Sequence, residues 1–240
     1  HLEALGRAPG WRVVIVSGRQ AAEVASLLAL PMGLEVFGSH GAERLDPGGT
    51  LSRAPLPPAW ERAQAEARFW AEGREVSQQL EEKHGCLALH VRGLTPPRAA
   101  ELLAEATHAF GRMAQAAGAE VLPFDGGVEL RCRACNKRHA VERLLAEERA
   151  LYGQGLAAAY LGDDFTDEDA FRALGDGDLA VLVARRGRSS LARHLLRPPG
   201  ELLEFLNACA LSAAPPAAPC TPGHGPEAGG GAGADAHCLP

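Results

Sequence analysis

The sequence predicts an α/β protein: a parallel sheet core interrupted by a smaller, cap-like α/β unit. Three observations lead there. Short apolar runs alternate with stretches of helical spacing at both ends of the chain. Polar clusters follow those runs, where open α/β sheets place their ligand loops. Between residues 51 and 132 the style changes to long polar or Ala-rich segments and a hairpin.

Taken in order, VVIV (13–16) is β-branched and wholly apolar, as a strand covered on both faces would be. SGRQ follows as a loop, AAEVASLLAL as a helix, and EVFG (35–38) as a second strand ending in SHGAE. After the DPGG turn (46–49) and PLPPAW, one long polar helix is expected over about 60–83. CLALHVR (86–92) reads as a strand and 96–117 as a helix, then AEVLPF and GVELR as strands joined through Asp125-Gly126. From Asn136 the first style returns: helix 137–151, strand LAAAYL (156–161), a helix from about 166, strand LAVLV (179–183), and a final helix ELLEFLNACA. The expected division is a core of 1–50 and 133–210, a cap of 51–132, and a tail of 211–240. The tail is rich in Ala, Pro and Gly and is expected to stay disordered.

Composition narrows the function classes. With 24 Lys+Arg against 30 Asp+Glu, the net charge of -6 argues against nucleic acid or an anionic membrane as the main partner. No apolar run reaches the ~18 residues of a membrane span, and no signal peptide opens the chain. The six cysteines are scattered, which suggests reduced thiols and a cytoplasmic setting. Cys132 and Cys135 form a lone CRAC pair with one nearby histidine, His139. A structural zinc site wants four ligands, so metal or redox use of the pair is not expected. The chain opens on His1 rather than Met, and its natural start is expected to lie upstream.

Chemistry concentrates at YLGDDFTDEDAF (160–171), which holds five carboxylates between Asp163 and Asp169. Thr166 through Asp169 fit a capping box, and acids in a first turn face the positive end of the helix dipole. That accounts for Glu168 and Asp169. It leaves Asp163 and Asp164, adjacent acids at a strand end, where a cation or hydrogen bonds must offset their charge. Magnesium takes one or two carboxylates plus phosphate oxygens. Asp163 is therefore the first expected ligand, with Asp167 one turn on as a partner at the metal that acts from behind it or through a water. Asp164 is expected to orient loop amides or a lysine. Ser17, Gly18 and Arg19 open either a capping box with Gln20 or an anion site at a helix start, and both readings fit these residues alone. Lys137, at the start of a helix, is a surface lysine or a group that neutralises a phosphoryl charge.

Together VVIVSGR, GSHGAE, ALHVR, VELR, NK and YLGDDFTDEDAF resemble the trehalose-6-phosphate phosphatases of the haloacid dehalogenase superfamily, in order from the first residues to about 206. The resemblance implies a Rossmann-like core with an inserted cap, and Mg²⁺-dependent hydrolysis of trehalose 6-phosphate through an aspartyl-phosphate. It casts Ser17, Gly18, Arg19 and Lys137 as phosphate-binding, Lys137, Asp163 and Asp164 as catalytic, and Asp163 with Asp167 at the metal. His40, Arg92, Glu129 and Arg131 would meet the sugar, with Lys83 a further contact. A trehalose-phosphate synthase, fused or associated, is the partner it suggests.

Three departures stand out. The family's DxDGT motif, source of the nucleophile and of the acid for the leaving sugar, is absent; the DxD triplets at 167–169 and 176–178 follow no apolar strand and precede no Gly-Thr. Cys132 stands where Pro usually follows ELR, and Arg138 where Gly usually follows the lysine. Losing a nucleophile costs on the order of 10⁴–10⁶ in rate, so this chain alone is expected to be inactive. Two other readings remain: a non-catalytic sugar-phosphate-binding or regulatory module, and a phosphatase for another sugar phosphate.

Overall fold

The computed structural model describes residues 1–29, 33–153 and 155–212. A short helix α1 (Leu2–Arg7) leads into β1 (Val14–Val16), whose β-branched residues favour an extended, packed backbone. Helix α2 (Ala21–Leu28) carries the chain to β2 (Glu35–Gly38), which pairs in parallel with β1, Ile15 opposite Val36. Gly38 lies against the backbone of Ala21, where a Cβ would collide, so the strand end can press on the helix start. The sheet then continues antiparallel through β3 (Glu43–Leu45) and β4 (Leu51–Arg53). Leu51–Arg53 thus extends the first sheet, and the inserted unit's own elements begin beyond it.

That unit opens with α3 (Pro58–Glu72), whose first helical position is proline, where the missing N–H costs nothing. The single helix expected over 60–83 does not form. The chain turns after Gly73, Glu75 takes a left-handed φ of 56°, and Leu80–Lys83 becomes strand β5. Pairing is the reason: β5 zips antiparallel onto β6 (Cys86–His90) across His84-Gly85, with Gly85 at φ +75°. Helix α4 (Pro96–Ala117), β7 (Ala119–Phe124) and β8 (Gly127–Cys132) complete an antiparallel sheet of order β5-β6-β8-β7. Trp60, Trp70, Phe110, Met113, Leu87, Leu89 and Leu130 fuse the two helices and the sheet into one continuous core. Each large apolar side chain buried there contributes roughly 1.5–3 kcal/mol.

The chain re-enters the first unit at α5 (Lys137–Tyr152), capped by Asn136, whose side chain accepts from the His139 amide at 3.0 Å. Strand β9 (Ala159–Gly162) starts later than the apolar run at 156, because Ala158 gives its N–H to Asp178 at 3.0 Å. Helix α6 (Asp167–Phe171), β10 (Leu179–Val183) and β11 (His194–Leu196) follow, giving a parallel sheet of order β11-β10-β9. Helix α7 (Gly200–Leu211) returns to α1, where His1 and Asn207 share a 2.6 Å hydrogen bond.

The parallel core therefore comes in two pieces. Among the described residues β1 pairs only with β2 and β9 only with β10, so each leaves one edge free. The buried apolar groups divide the same way, Ala21, Val24 and Val36 beside β1 and Val141, Leu145 and Ala170 beside β9. No helix among the described residues is long and apolar enough to cross a membrane. The expected disordered tail, with Cys220 and Cys238, lies outside the described residues from 213 onward.

Candidate active site

The loops after β1 and β2 are locked together. The Ser17 amide donates to the Phe37 carbonyl (2.8 Å), the His40 amide to Ser17 O (2.9 Å), and the Ser39 amide to Arg19 O (2.7 Å). Ser39 and His40 adopt φ of 49° and 57°, a left-handed pair that costs non-glycine residues energy and persists only where the surroundings hold it. Buried Glu43 supplies that hold, accepting from Ser39 Oγ (3.2 Å) and from the Ala21 amide (3.1 Å). The expected Ser17–Gln20 capping box is absent, because Glu43 takes the helix-start amide instead. Ser17 Oγ accepts from the Arg19 amide at 3.1 Å and keeps its hydroxyl proton for an outside acceptor. The Arg19 side chain is exposed and paired with Glu23.

At the end of β9, Asp167 is the organising group. Its Oδ2 accepts from the Asp163 and Asp164 amides, each at 2.9 Å. Its Oδ1 accepts from Lys137 Nζ at 2.7 Å and from the Tyr160 hydroxyl at 2.8 Å. Gly162 permits this, since a Cβ there would sit 2.5 Å from Asp167 Cβ and Cγ. Burial alone would raise the Asp167 pKa, but the charge and hydrogen bond of Lys137, with the loop amide and Tyr160, hold it below the usual carboxylate range. Burial and that same carboxylate push the Tyr160 phenol up, keeping it a donor.

The acids thus divide differently from the sequence reading. Orienting the loop amides and the lysine falls to Asp167, not Asp164, and Asp167 has no oxygen left over for direct metal contact. Asp164 Oδ1 accepts from the Phe165 amide at 2.6 Å. Asp163 is exposed, and among the described residues nothing donates to its carboxylate. The Thr166–Asp169 capping box does not form, since Thr166 Oγ1 is buried without a partner. Glu168 instead gathers Arg188 (2.6 Å), Ser190 Oγ (2.7 Å) and the Leu191 amide (2.8 Å), tying down the loop before β11.

Asp169 reaches the inserted unit. It accepts from Arg131 at 3.0 Å, while Arg131, only 2% exposed, also donates to Glu120 (2.8 Å) and lies 3.4 Å from His40 Nδ1. His40 Nε2 stands 3.2 Å from Glu129, whose carboxyl is held low by His40 against the upward pull of burial. The Cys86 thiol lies within 4.8 Å of that carboxylate; burial and the Glu129 charge push its pKa well up. Three of the four expected sugar contacts, His40, Glu129 and Arg131, therefore converge with Ser17 and Asp169 across the two units. Largely buried Lys83 pairs with Glu81 at 3.2 Å. Arg92 does not join them; it is exposed at the opposite end of the β7–β8 hairpin, bonded to the Asp125 carbonyl at 2.8 Å. Glu43, Glu120 and Tyr160 escaped the sequence reading, because an acid or phenol within a strand shows no local sign of its distant partner.

Comparison with known proteins follows the same lines. Residues 1–190 match the family described as Trehalose-phosphatase. A trehalose-phosphate phosphatase of Mycobacterium marinum is 32% identical over 202 residues, 80% of this chain and 50% of that relative. The chain spans about half the length of the first curated relatives it matches. Among solved structures, the C-terminal domain of a Candida albicans trehalose-6-phosphate phosphatase superposes with a TM-score of 0.65 at 22% identity, covering 87% of this chain and 81% of that one. A haloacid dehalogenase-like hydrolase from B. subtilis superposes with a TM-score of 0.54 at 15% identity, covering 82% and 87%. On a haloacid dehalogenase-like fold, and matched from its first residue to 190, the chain belongs to the trehalose-phosphatase family.

Proposed function

We propose that these residues form most of a Mg²⁺-dependent trehalose-6-phosphate phosphatase, and that the 240-residue chain alone does not turn its substrate over. One observation carries the reading: a buried Lys137–Asp167 pair fixes the amides of Asp163 and Asp164 at a strand end while leaving the Asp163 carboxylate unengaged. Lys137 keeps donors for phosphoryl oxygens after serving Asp167, and the Ser17 hydroxyl offers another. An exposed, hard-oxygen ligand such as Asp163 fits half of a magnesium site, and the ion would neutralise phosphoryl charge when bound. Glu129, His40 and Arg131 offer carboxylate, imidazole and guanidinium groups to sugar hydroxyls. We place the cap–core division beyond Arg53 on account of β4, and the four described free thiols fit a cytoplasmic setting. A trehalose-phosphate synthase, fused or associated, is the partner consistent with this reading.

No acid of the DxD triplets is free to act as nucleophile. Asp167 is saturated, Asp169 holds Arg131 and Arg172, Asp178 holds Arg149 and two amides, and Asp176 lies in an exposed turn near Arg193. We infer that a strand bearing the missing aspartate pairs with the free edges of β1 and β9. Phosphate release from trehalose 6-phosphate should be undetectable with the chain alone. It should appear when an Asp-x-Asp-Gly-Thr strand is fused upstream, and vanish again in Asp163→Ala. Turnover by the unfused chain would overturn the inactivity. A fusion that binds without hydrolysis would favour a regulatory module, and preference for another sugar phosphate would change the substrate.

A further inference from the structure

Among the described residues, His40, Cys86 and Glu129 form one group whose nitrogen, sulfur and oxygen ligand atoms all lie within 4.8 Å of one another. Register builds two-thirds of it. Cys86 of β6 stands opposite Arg131 of β8, and Glu129 lies two residues before Arg131, so thiol and carboxylate share one face of the cap sheet. His40 comes from the core, on the turn after β2, and brings its Nε2 to 3.2 Å from Glu129. The imidazole is packed against the loop after β1, since a Cβ on Gly18 would lie 2.7 Å from the ring. All three residues are buried, Cys86 completely. The nearby cations have carboxylates of their own: Lys83 pairs with Glu81, and Arg131 with Glu120 and Asp169. Sugar recognition leaves the thiol without a role, because sulfur is a weak hydrogen-bonding partner for hydroxyls.

We propose that His40, Cys86 and Glu129 bind one zinc ion where the cap meets the core. Zinc takes thiolate sulfur at about 2.3 Å and imidazole nitrogen or carboxylate oxygen at about 2.0–2.2 Å, usually as a tetrahedron. Such a tetrahedron sets its donors roughly 3.3–3.7 Å apart. The 3.2 Å between His40 and Glu129 is close to that edge, and the 4.8 Å bound leaves Cys86 a small side-chain adjustment. Three protein ligands leave the fourth position to water, a common zinc arrangement. Thiolate and carboxylate together cancel the two charges of the ion, as a buried site requires. Magnesium does not suit these donors, since it demands six ligands, nearly all oxygen. On coordination the thiol proton leaves to solvent, because a metal-bound thiol is deprotonated outright. Binding through Nε2 puts the ring proton on Nδ1, where the 3.4 Å contact with Arg131 gives way while Arg131 keeps Glu120 and Asp169. Zinc held here withdraws the imidazole and the carboxylate from the sugar; that consequence rests on the proposed function, whereas the metal site does not.

Titration of the reduced full chain with cobalt(II) tests the site, because a cobalt–thiolate bond absorbs in the near ultraviolet. The chain should bind an ion that zinc displaces and excess magnesium does not. Cys86→Ala should bind one cobalt fewer, and Glu129→Gln, close in volume, should weaken that ion at least about tenfold, the loss that even an outer-shell partner brings. Replacing Cys132 and Cys135 by alanine should leave it in place. An equal count in Cys86→Ala, or loss of the ion with Cys132 and Cys135, would overturn the site. Zinc-edge X-ray absorption of the unmutated chain at one equivalent decides the matter even if a variant folds poorly. One sulfur beside nitrogen or oxygen neighbours is expected, and two sulfurs or none would overturn the assignment. None of these measurements needs turnover, so their failure is distinct from a failure of the proposed phosphatase. In the chain fused to an Asp-x-Asp-Gly-Thr strand, zinc should raise KM for trehalose 6-phosphate several-fold, and should not do so in the Cys86→Ala variant. Equal inhibition of both would overturn the withdrawal of His40 and Glu129 from the sugar.

Discussion

A buried ammonium at Lys137 is tolerable because Asp167 stands 2.7 Å away and is itself steadied by two amides and a phenol. Removing the carboxylate leaves that charge uncompensated. Asp167→Ala should therefore cost about 3–5 kcal/mol in denaturant unfolding, the range for breaking a buried pair. The folded-state pKa of Asp167 lies below its ordinary 3.8, so its stabilisation is present above that value and lost as pH falls through the lower folded value. The wild-type chain should thus lose stability in acid more steeply than Asp167→Asn, as paired melts from pH 6 downward would show. The sequence made the acidic cluster conspicuous and singled out Asp163 and Lys137. It could not rank Asp167 above Asp164, because spacing tells which acids share a turn, not which oxygen meets which donor.

Elements obey the same limit. Short runs with clear ends, such as 14–16, 35–38 and 179–183, were legible because β-branched and apolar residues bounded by turn-forming ones favour strands. Residues 75–83 were not, since their polar composition suits a helix as well as a half-exposed hairpin, and pairing with Cys86–His90 decides it. Three-residue strands such as Glu43–Leu45 and His194–Leu196 gave no signal, their place being set by neighbours already formed. The contact between β9 and α6 offers a test at this scale. Gly162→Ala would force a methyl against Asp167 and push the helix start off the strand, whereas Gly177 has open space around it. Thermal melts should show Gly162→Ala destabilised by about 1–3 kcal/mol, the usual cost of overpacking, with Gly177→Ala nearly unchanged.

At the scale of the molecule, the layout of a parallel framework and an insertion followed from where the patterning changed style. What no pattern announced was how unequally the hydrophobic interior is shared. Among the described residues, the inserted unit holds one continuous core around Trp60 and Phe110, while the framework's buried apolar residues are split between two clusters of three and scattered side chains such as Phe37, Phe171 and Leu182. Cooperativity follows from continuity of packing, so the molecule should not melt as a single unit. Amides of β6 and β8 should stay protected from hydrogen exchange after those of β1 and β9 have opened. Simultaneous loss of protection in all four strands would contradict this. The guest element, contrary to the usual order between an insertion and its host, would then be the last part of the chain to remain folded.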